Sequence, residues 1–420
     1  MKMIRGAIAL TALLALTLPA AGTRAETFSL WVRSGANDYI RELIASFEAD
    51  SEHRVDLQVV PVDEMVQKYA IASVGGSAPD ALSLDLIYTP AFARAGQLRD
   101  LTDFAHSLAW FDQLSPAHLS VGTFDGRLYG LPFSADASLL IWNKELFKRA
   151  GLDPENAPQS WTEIIADARA VGALGPETYG FYFAGNCGGC NIFTLAPMIW
   201  AAGGEILSAD GQQAMLDSPQ VREAIDFYRT MVMDGLVPAG ARTDSGANFF
   251  GAFANGNIGI APLGSFAISI LNQQYPDLDY GVAFLPGQEA GQWSSFAGGD
   301  NIVISRSTSE EKLPAIKAFI RHTYSLAGQK ILARRIGIPV RADLAQQALE
   351  GLDPRYALST EAMQNGRTPY STVFNDLINS RNGPWTTTLN RAFFADSEAE
   401  VEAALAAGQA EMQAIIDAAR

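Results

Sequence analysis

Basic residues are scarce relative to acidic ones, 30 against 46, which leaves the 420-residue chain formally at −16. That balance removes the basic face on which nucleic-acid binding depends. It does not identify a cationic ligand, since net negative charge mainly keeps an abundant protein soluble. Histidine is rarer still. The four copies, His53, His106, His118 and His322, form no H-E-x-x-H and no helical pair with zinc-ligand spacing. There is no G-x-S-x-G for a serine hydrolase. No two carboxylates are paired by sequence as a glycosidase dyad. The chain is therefore expected to be neither an enzyme nor a metal or cofactor protein. Long apolar runs are missing too. Beyond the first 25 residues nothing reaches roughly 18 consecutive apolar residues, so no membrane span is expected in the mature chain. Internal repeats, heptads and low-complexity linkers are also absent.

What is there starts with an export signal. Lys2 and Arg5 precede an apolar run from Ala7 to Leu18, and Thr23-Arg24-Ala25 puts small residues where signal peptidase reads. Residues 1–25 are expected to be a cleaved Sec signal peptide, which places the mature chain in the periplasm. Loss of Lys2, Arg5 and Arg24 takes the formal charge to about −19. The remaining length exceeds one ordinary core, so two domains are expected.

Along the mature chain, strands and helices alternate. Strands are expected at 27–32, 55–60, 81–86, 179–183, 280–285 and 301–304. Helical spacing appears at 39–47, where Ile40, Leu43, Ile44 and Phe47 share one face, and again at 64–72 and 312–325. Ser160-x-x-Glu163 and Ser397-x-x-Glu400 are capping boxes. Pro219 and Gly235 bracket another helix. The fold class is α/β, and this alternation predicts parallel sheet covered on both faces.

The most informative stretch is 131–150, LPFSADASLLIWNKELFKRA. A strand leads into Ser134-Ala135-Asp136, a second strand follows over Ser138–Trp142, and a helix begins near Asn143. A carboxylate thus stands where the chain passes between two apolar runs. This wording resembles the hinge of periplasmic solute-binding proteins of ABC importers, in the sugar-binding family that includes maltose-binding protein. Further passages are similar in the same order: Asp80–Leu98; Phe250–Leu271, with Phe266 where an aromatic is expected; Phe296–Ile304, containing Gly298-Gly299; and Ile338-Pro339-Val340-Arg341.

The resemblance implies a two-lobed fold, each lobe a sheet flanked by helices and joined by crossing segments. One lobe would take 26–134 plus 286–336, the other 137–283 plus 340–420. It implies a monomer that captures a carbohydrate by hinged closure and hands it to permease subunits in the inner membrane. Asp136 is the first candidate ligand contact, against a bland role as a hinge residue bonded to nearby backbone. Asp85, at the end of the third strand, could instead cap a helix. Ser34 and Asn37, after the first strand, could simply cap the helix that follows. Gly299 allows close backbone approach and Asp300 could accept hydroxyls, although the pair would also fit a bulge. Phe193, Phe266 and Trp385 are candidate stacking rings, against the core as the ordinary place for any one aromatic. Asn191 is implied just downstream of the cysteines. Arg341 could reach the cleft or only pin a crossing.

Cysteine is the last scarcity. Cys187-Gly188-Gly189-Cys190 is the only pair. C-x-x-C can be a thiol-redox motif, but in an oxidising compartment the plainer expectation is a structural disulfide. Two alternatives to sugar binding stay open: the same fold with a polyamine or polyol, and a thiol-redox protein using Cys187 and Cys190.

Overall fold

The structure, a computed structural model, describes residues 25–34, 38–62, 64–380 and 382–420. The expected signal peptide, save Ala25, and Asn37 lie outside the described residues.

The strands that position the site are β1 (Thr27–Arg33), β2 (Arg54–Val60), β3 (Ala81–Asp85), β4 (Gly130–Asn143), β5 (Tyr179–Phe181), β6 (Ile258–Gly264), β7 (Tyr280–Ala283) and β8 (Ala297–Ile304). The helices used below are α1 (Asp38–Ala49), α2 (Gly188–Thr194), α3 (Phe266–Gln274), α4 (Leu326–Ile336), α5 (Pro384–Phe393) and α6 (Glu398–Ala418). The strands form one eight-stranded sheet in the order β2-β1-β3-β8-β4-β6-β5, with β7 also on β4.

The expected segments at 131–134 and 138–142 are one continuous 14-residue strand, β4. Its first half pairs with β8, from Val303↔Gly130 to Ala297↔Ala137. Its second half pairs with β6, from Ser138↔Gly264 to Trp142↔Ile260, and with β7. Two lobes therefore share a spine. The expected parallel sheet holds only on the flanks, β2-β1-β3 at one edge and β6-β5 at the other. At the centre β3-β8, β8-β4 and β4-β6 are antiparallel. The cause is the crossing itself: β4 leaves the first lobe and β8 returns, so the two run in opposite directions.

Alternate residues of each strand feed different faces, as period-two geometry requires. In the first lobe Phe28, Leu30 and Val32 pack with Phe133, Ile302 and Phe319 on one face, while Trp31, Leu82, Leu84 and Val303 pack with Tyr69 and Phe92 on the other. In the second lobe Trp142, Phe181 and Phe183 meet Tyr228, Leu389 and Phe393, and Ile141, Ala261 and Leu263 meet Phe253 on the opposite side. Val340, Tyr356, Ala362 and Met363 join the first-lobe cluster. A division of the chain at 340 is therefore not a division of the cores. Both capping serines act as expected: Ser160 Oγ accepts from Glu163 N at 3.2 Å and Ser397 Oγ from Glu400 N at 3.3 Å.

Candidate functional site

The C-terminal ends of strands are where ligands bind in open α/β sheets, and here those ends converge on the crossing. Arg33 closes β1, Asp85 closes β3, Ser134 to Asp136 form the middle of β4, Gly299 and Asp300 sit near the start of β8, and Phe266 opens α3. Between them is a cleft of about 580 Å³, lined among others by Arg33, Tyr39, Asp136, Phe266, Gln273 and Asp300. A groove of about 670 Å³ between Arg94, Asp125, Gln212 and Arg420 is larger but lies away from these strand ends.

The floor of the cleft is an ion cluster built by register. Asp85 and Asp300 are direct partners across β3 and β8, which would set two carboxylates side by side. Arg33 resolves the repulsion: Nη1 contacts Asp85 Oδ2 at 2.9 Å and Nη2 contacts Asp300 Oδ1 at 2.5 Å. Burial acts to lower the Arg33 pKa, and the charges of Asp300 and Asp85 outweigh it, so the guanidinium is held firmly protonated. For Asp85, burial raises the pKa; Arg33 pulls against it and Asp300 adds to the rise. Ser83 Oγ donates to the second oxygen of Asp300 at 2.5 Å. Tyr39 is 1% exposed, lines the cleft, and its hydroxyl has no hydrogen-bond partner among the described residues. Burial first, then Asp300, raises its pKa. Behind this floor His118 Nε2 meets the Ser134 carbonyl at 3.0 Å, and burial lowers its pKa to about 4, so that imidazole is neutral at pH 7.

Asp136 stands across the cleft, with no cation paired to it among the described residues. Its Oδ1 accepts from Ala137 N at 2.9 Å and from Ser265 Oγ at 2.5 Å. Burial raises its pKa, opposed by those bonds and by the N–H groups of Phe266 and Ser265. Those N–H groups open α3, so this carboxylate caps a helix from a distant strand. The bland and functional expectations for Asp136 describe one geometry: it lines the cleft and also ties the hinge to α3.

Gly299 has φ +119°, and a Cβ there would come within 2.1 Å of the Ser134 carbonyl. This is a close crossing that only glycine allows, and the ladder shifts register at the next residues, Asp300 and Asn301. Ser34 also lines the cleft, and its Oγ accepts from Val62 N at 3.2 Å. Asp85 also accepts from Ile87 N at 3.4 Å and so caps the turn that follows β3. Phe266 lines the cleft between Phe249 and Phe250, with ring centroids 6.4 and 6.5 Å away. Phe193 does not line it. Its ring packs on Phe296 at 5.4 Å, behind the crossing, and its carbonyl accepts from Ser138 Oγ.

Besides Phe193, two expectations fail, and Arg341 takes the second of its two expected roles. Trp385 is fully buried in the second-lobe core and its Nε1 donates to the Gly188 carbonyl at 3.2 Å, so it is packing and not a stacking platform. Asn191 is likewise fully buried, with Nδ2 donating to the Ala184 carbonyl at 3.0 Å. Arg341 turns away from the cleft. It donates to the Tyr324 carbonyl at 2.8 Å and to Asp343, and lies 4.5 Å over Trp110, so it pins a crossing. Arg33 and Tyr39 went unassigned in the sequence. Only their places, at the last position of β1 and the first turn of α1, could have pointed to them.

The lobes also meet directly. Asn379 Nδ2 donates to Tyr88 Oη at 3.0 Å, and Tyr88 follows the turn that Asp85 caps.

This arrangement of strand ends, crossing and cleft matches a known family model. Residues 34–330 fit the bacterial extracellular solute-binding protein family. The chain belongs to that family. Its members are non-enzymatic, extracellular or periplasmic substrate-binding components of ABC transporters. The diacetylchitobiose binding protein DasA of Streptomyces coelicolor is 24% identical over 369 residues, 84% of this chain and 83% of that one. The mannitol-binding protein of Pseudomonas aeruginosa is 26% identical over 332 residues, 77% and 74% respectively. A binding protein of Brucella abortus is 28% identical over 275 residues, and that match spans 66% of its length. Among solved structures, a tagatose-bound solute-binding protein of Thermotoga lettingae superimposes with TM-score 0.80 at 22% identity, covering 93% of this chain and all of that one. Maltose-bound MalE3 of T. maritima gives 0.78, also at 22% identity, over 93% of this chain and 100% of that chain. These likenesses give the fold: the two-lobed α/β architecture of periplasmic binding proteins.

Proposed function

We propose that this solute-binding protein captures a sugar or sugar alcohol in the cleft at the crossing, closes its lobes over it, and presents it to the permease subunits of an ABC importer. The observation that carries this reading is the chemistry of the lining. Asp136, Asp300, Ser34, Ser134, Gln273 and Gln274 offer acceptors and donors for hydroxyls, and the half-buried Phe266 offers an apolar ring face for a C–H surface. Buried polar groups must be matched by a partner or burial is costly, and a polyhydroxylated ligand supplies many partners at once. Binding works by population shift, because a ligand that touches both lobes only when they are closed favours that state.

A phosphorylated solute fits less well, since Arg33 already faces two carboxylates. A polyamine is the second reading, favoured by Asp136 alone, which no cation neutralises among the described residues. The export signal, a monomeric state and the use of Ser34, Asp85, Asp136, Phe266, Gly299 and Asp300 as ligand contacts belong to the same proposal.

A thermal-shift screen of the chain from residue 26 tests it, with monosaccharides, alditols, disaccharides and polyamines as probes. A ligand that binds only the native state raises the midpoint by mass action. A shift confined to sugars or alditols supports the reading. A shift confined to polyamines replaces it with the second, and no shift with any sugar or alditol overturns the carbohydrate assignment.

A further inference from the structure

Cys187 and Cys190 are bonded in the structure and both are half-buried, so solvent reaches them. Gly246 turns the side on which a Cβ would stand toward the two sulfurs. A Cβ at that position would be 3.1 Å from Cys187 Sγ and 3.3 Å from Cys190 Sγ, at φ +110°. The 244–250 loop is therefore seated directly on the disulfide. Its near end is fastened by Asp244, which accepts from Gly246 N at 3.0 Å, from Asn248 N at 3.3 Å and from the Tyr182 hydroxyl. Its far end presents Phe249 and Phe250 to Phe266, which lines the cleft.

A second path leaves the sulfurs on the opposite side. Cys187 Sγ accepts from Cys190 N at 3.1 Å at the start of α2. The last turn of that helix holds Phe193, whose carbonyl accepts from Ser138 Oγ, two residues beyond Asp136. One covalent bond thus connects to Phe266 on the cleft wall and to β4 behind the crossing.

We propose that Cys187–Cys190 is a redox-modifiable site that sets the affinity of the cleft. The reductant is a dithiol of the oxidising compartment or of the assay. It gives two electrons and two protons to the S–S bond and becomes a cyclic disulfide, and Cys187 and Cys190 become two thiols. Two thiols must sit at van der Waals separation rather than bonding distance. The sulfurs lie against the face of Gly246 where a side chain would stand, so their parting presses on the 244–250 loop. The loop lifts, Phe249 and Phe250 withdraw from Phe266, and the ligand loses a fixed ring face. The effect on affinity rests on the cleft being the ligand site; the effect on the loop does not.

The experiment compares the oxidised chain, the same chain reduced by dithiothreitol, and the Cys187→Ser/Cys190→Ser double variant. Hydrogen–deuterium exchange needs no ligand. Exchange should quicken at 244–250 and at the start of α3, and stay unchanged in β1 to β3. Calorimetric titration with mannitol and with maltose should then show at least a fivefold loss of affinity on reduction. That loss should disappear in a Phe266→Ala background, which a purely structural role for the disulfide would not produce. Reoxidation should restore both readouts. Unchanged exchange at 244–250 overturns the proposal, as does altered exchange with unchanged affinity. If neither sugar binds in any state, the carbohydrate reading loses its support for these probes, and exchange alone decides the coupling.

Discussion

Asp136 has a structural role, bonding Ala137 N and Ser265 Oγ, and a proposed role in ligand binding, and the two separate by substitution. Asp136→Ala removes the acceptor that Ser265 Oγ and the first N–H groups of α3 share. Loss of such a cap costs about 1 kcal/mol, so urea denaturation of the empty protein should show a drop of that order, with ligand affinity at least tenfold weaker. Asp136→Asn keeps an acceptor and should recover most of the stability but little of the affinity. An unchanged affinity in both variants would remove Asp136 from the site. The pH dependence follows with its sign. Burial raises the Asp136 pKa, so the folded, empty protein takes up this proton at a higher pH than the unfolded chain does. This group's contribution to stability therefore grows as pH falls through the folded pKa. Ligand hydroxyls that donate to the ionised carboxylate lose their acceptor over the same window, so affinity should fall there, and Asp136→Asn should flatten that profile. Trp385 gives the opposite pattern. Being fully buried, its replacement by Ala should cost roughly 3–5 kcal/mol, with the affinity of the fraction that still folds unchanged. The place of Asp136 at the crossing was legible because a lone carboxylate between two apolar runs has few reasons to be there. Trp385 was not, because a tryptophan after Asn-Gly-Pro looks the same in sequence whether its indole turns outward or in.

Strands and helices were easier to foresee than their directions. The segments at 27–33, 54–60 and 81–85 follow from runs of apolar and β-branched residues, and α6 from its capping serine and alanine-rich body. Antiparallel pairing at the centre of the sheet was invisible, because strand direction depends on which element returns across the hinge and periodicity holds no record of that. The Gly298-Gly299 passage marked the return crossing, and the structure gives its physical reason. Gly299→Ala would place a methyl group 2.1 Å from the Ser134 carbonyl in a backbone region that L-residues avoid. β8 must then separate from β4 beside Asp300 and Asp136. The melting temperature should fall by several degrees, and the accompanying loss of affinity should exceed that of Gly246→Ala in a reduced background, where the sulfurs no longer oppose a side chain. A Gly299→Ala protein with native stability and affinity would show that the crossing tolerates more room than this geometry gives.

For the molecule as a whole, the proposed capture by closure makes function depend on the free-energy gap between lobes apart and lobes together. The Tyr88 hydroxyl and the Asn379 amide meet at 3.0 Å across that gap. Both side chains are half-buried, and the bond joins the turn after β3 to the 375–379 segment. Its worth, about 0.5–1.5 kcal/mol for a typical hydrogen bond, is therefore spent on closure. Tyr88→Phe deletes the acceptor and keeps the ring, so the closed state should lose that amount relative to the open one. Apparent affinity scales with the fraction of molecules able to close, and the expected weakening is roughly two- to tenfold. The melting temperature of the empty protein should hold within a degree or two. Small-angle scattering should still show the radius of gyration shrinking when ligand saturates the variant, because the ligand supplies its own bridge between lobes. If affinity is unchanged while the scattering shift persists, closure is driven by the ligand and the crossing alone, and the Tyr88–Asn379 contact is a consequence of the closed shape with no part in setting its population.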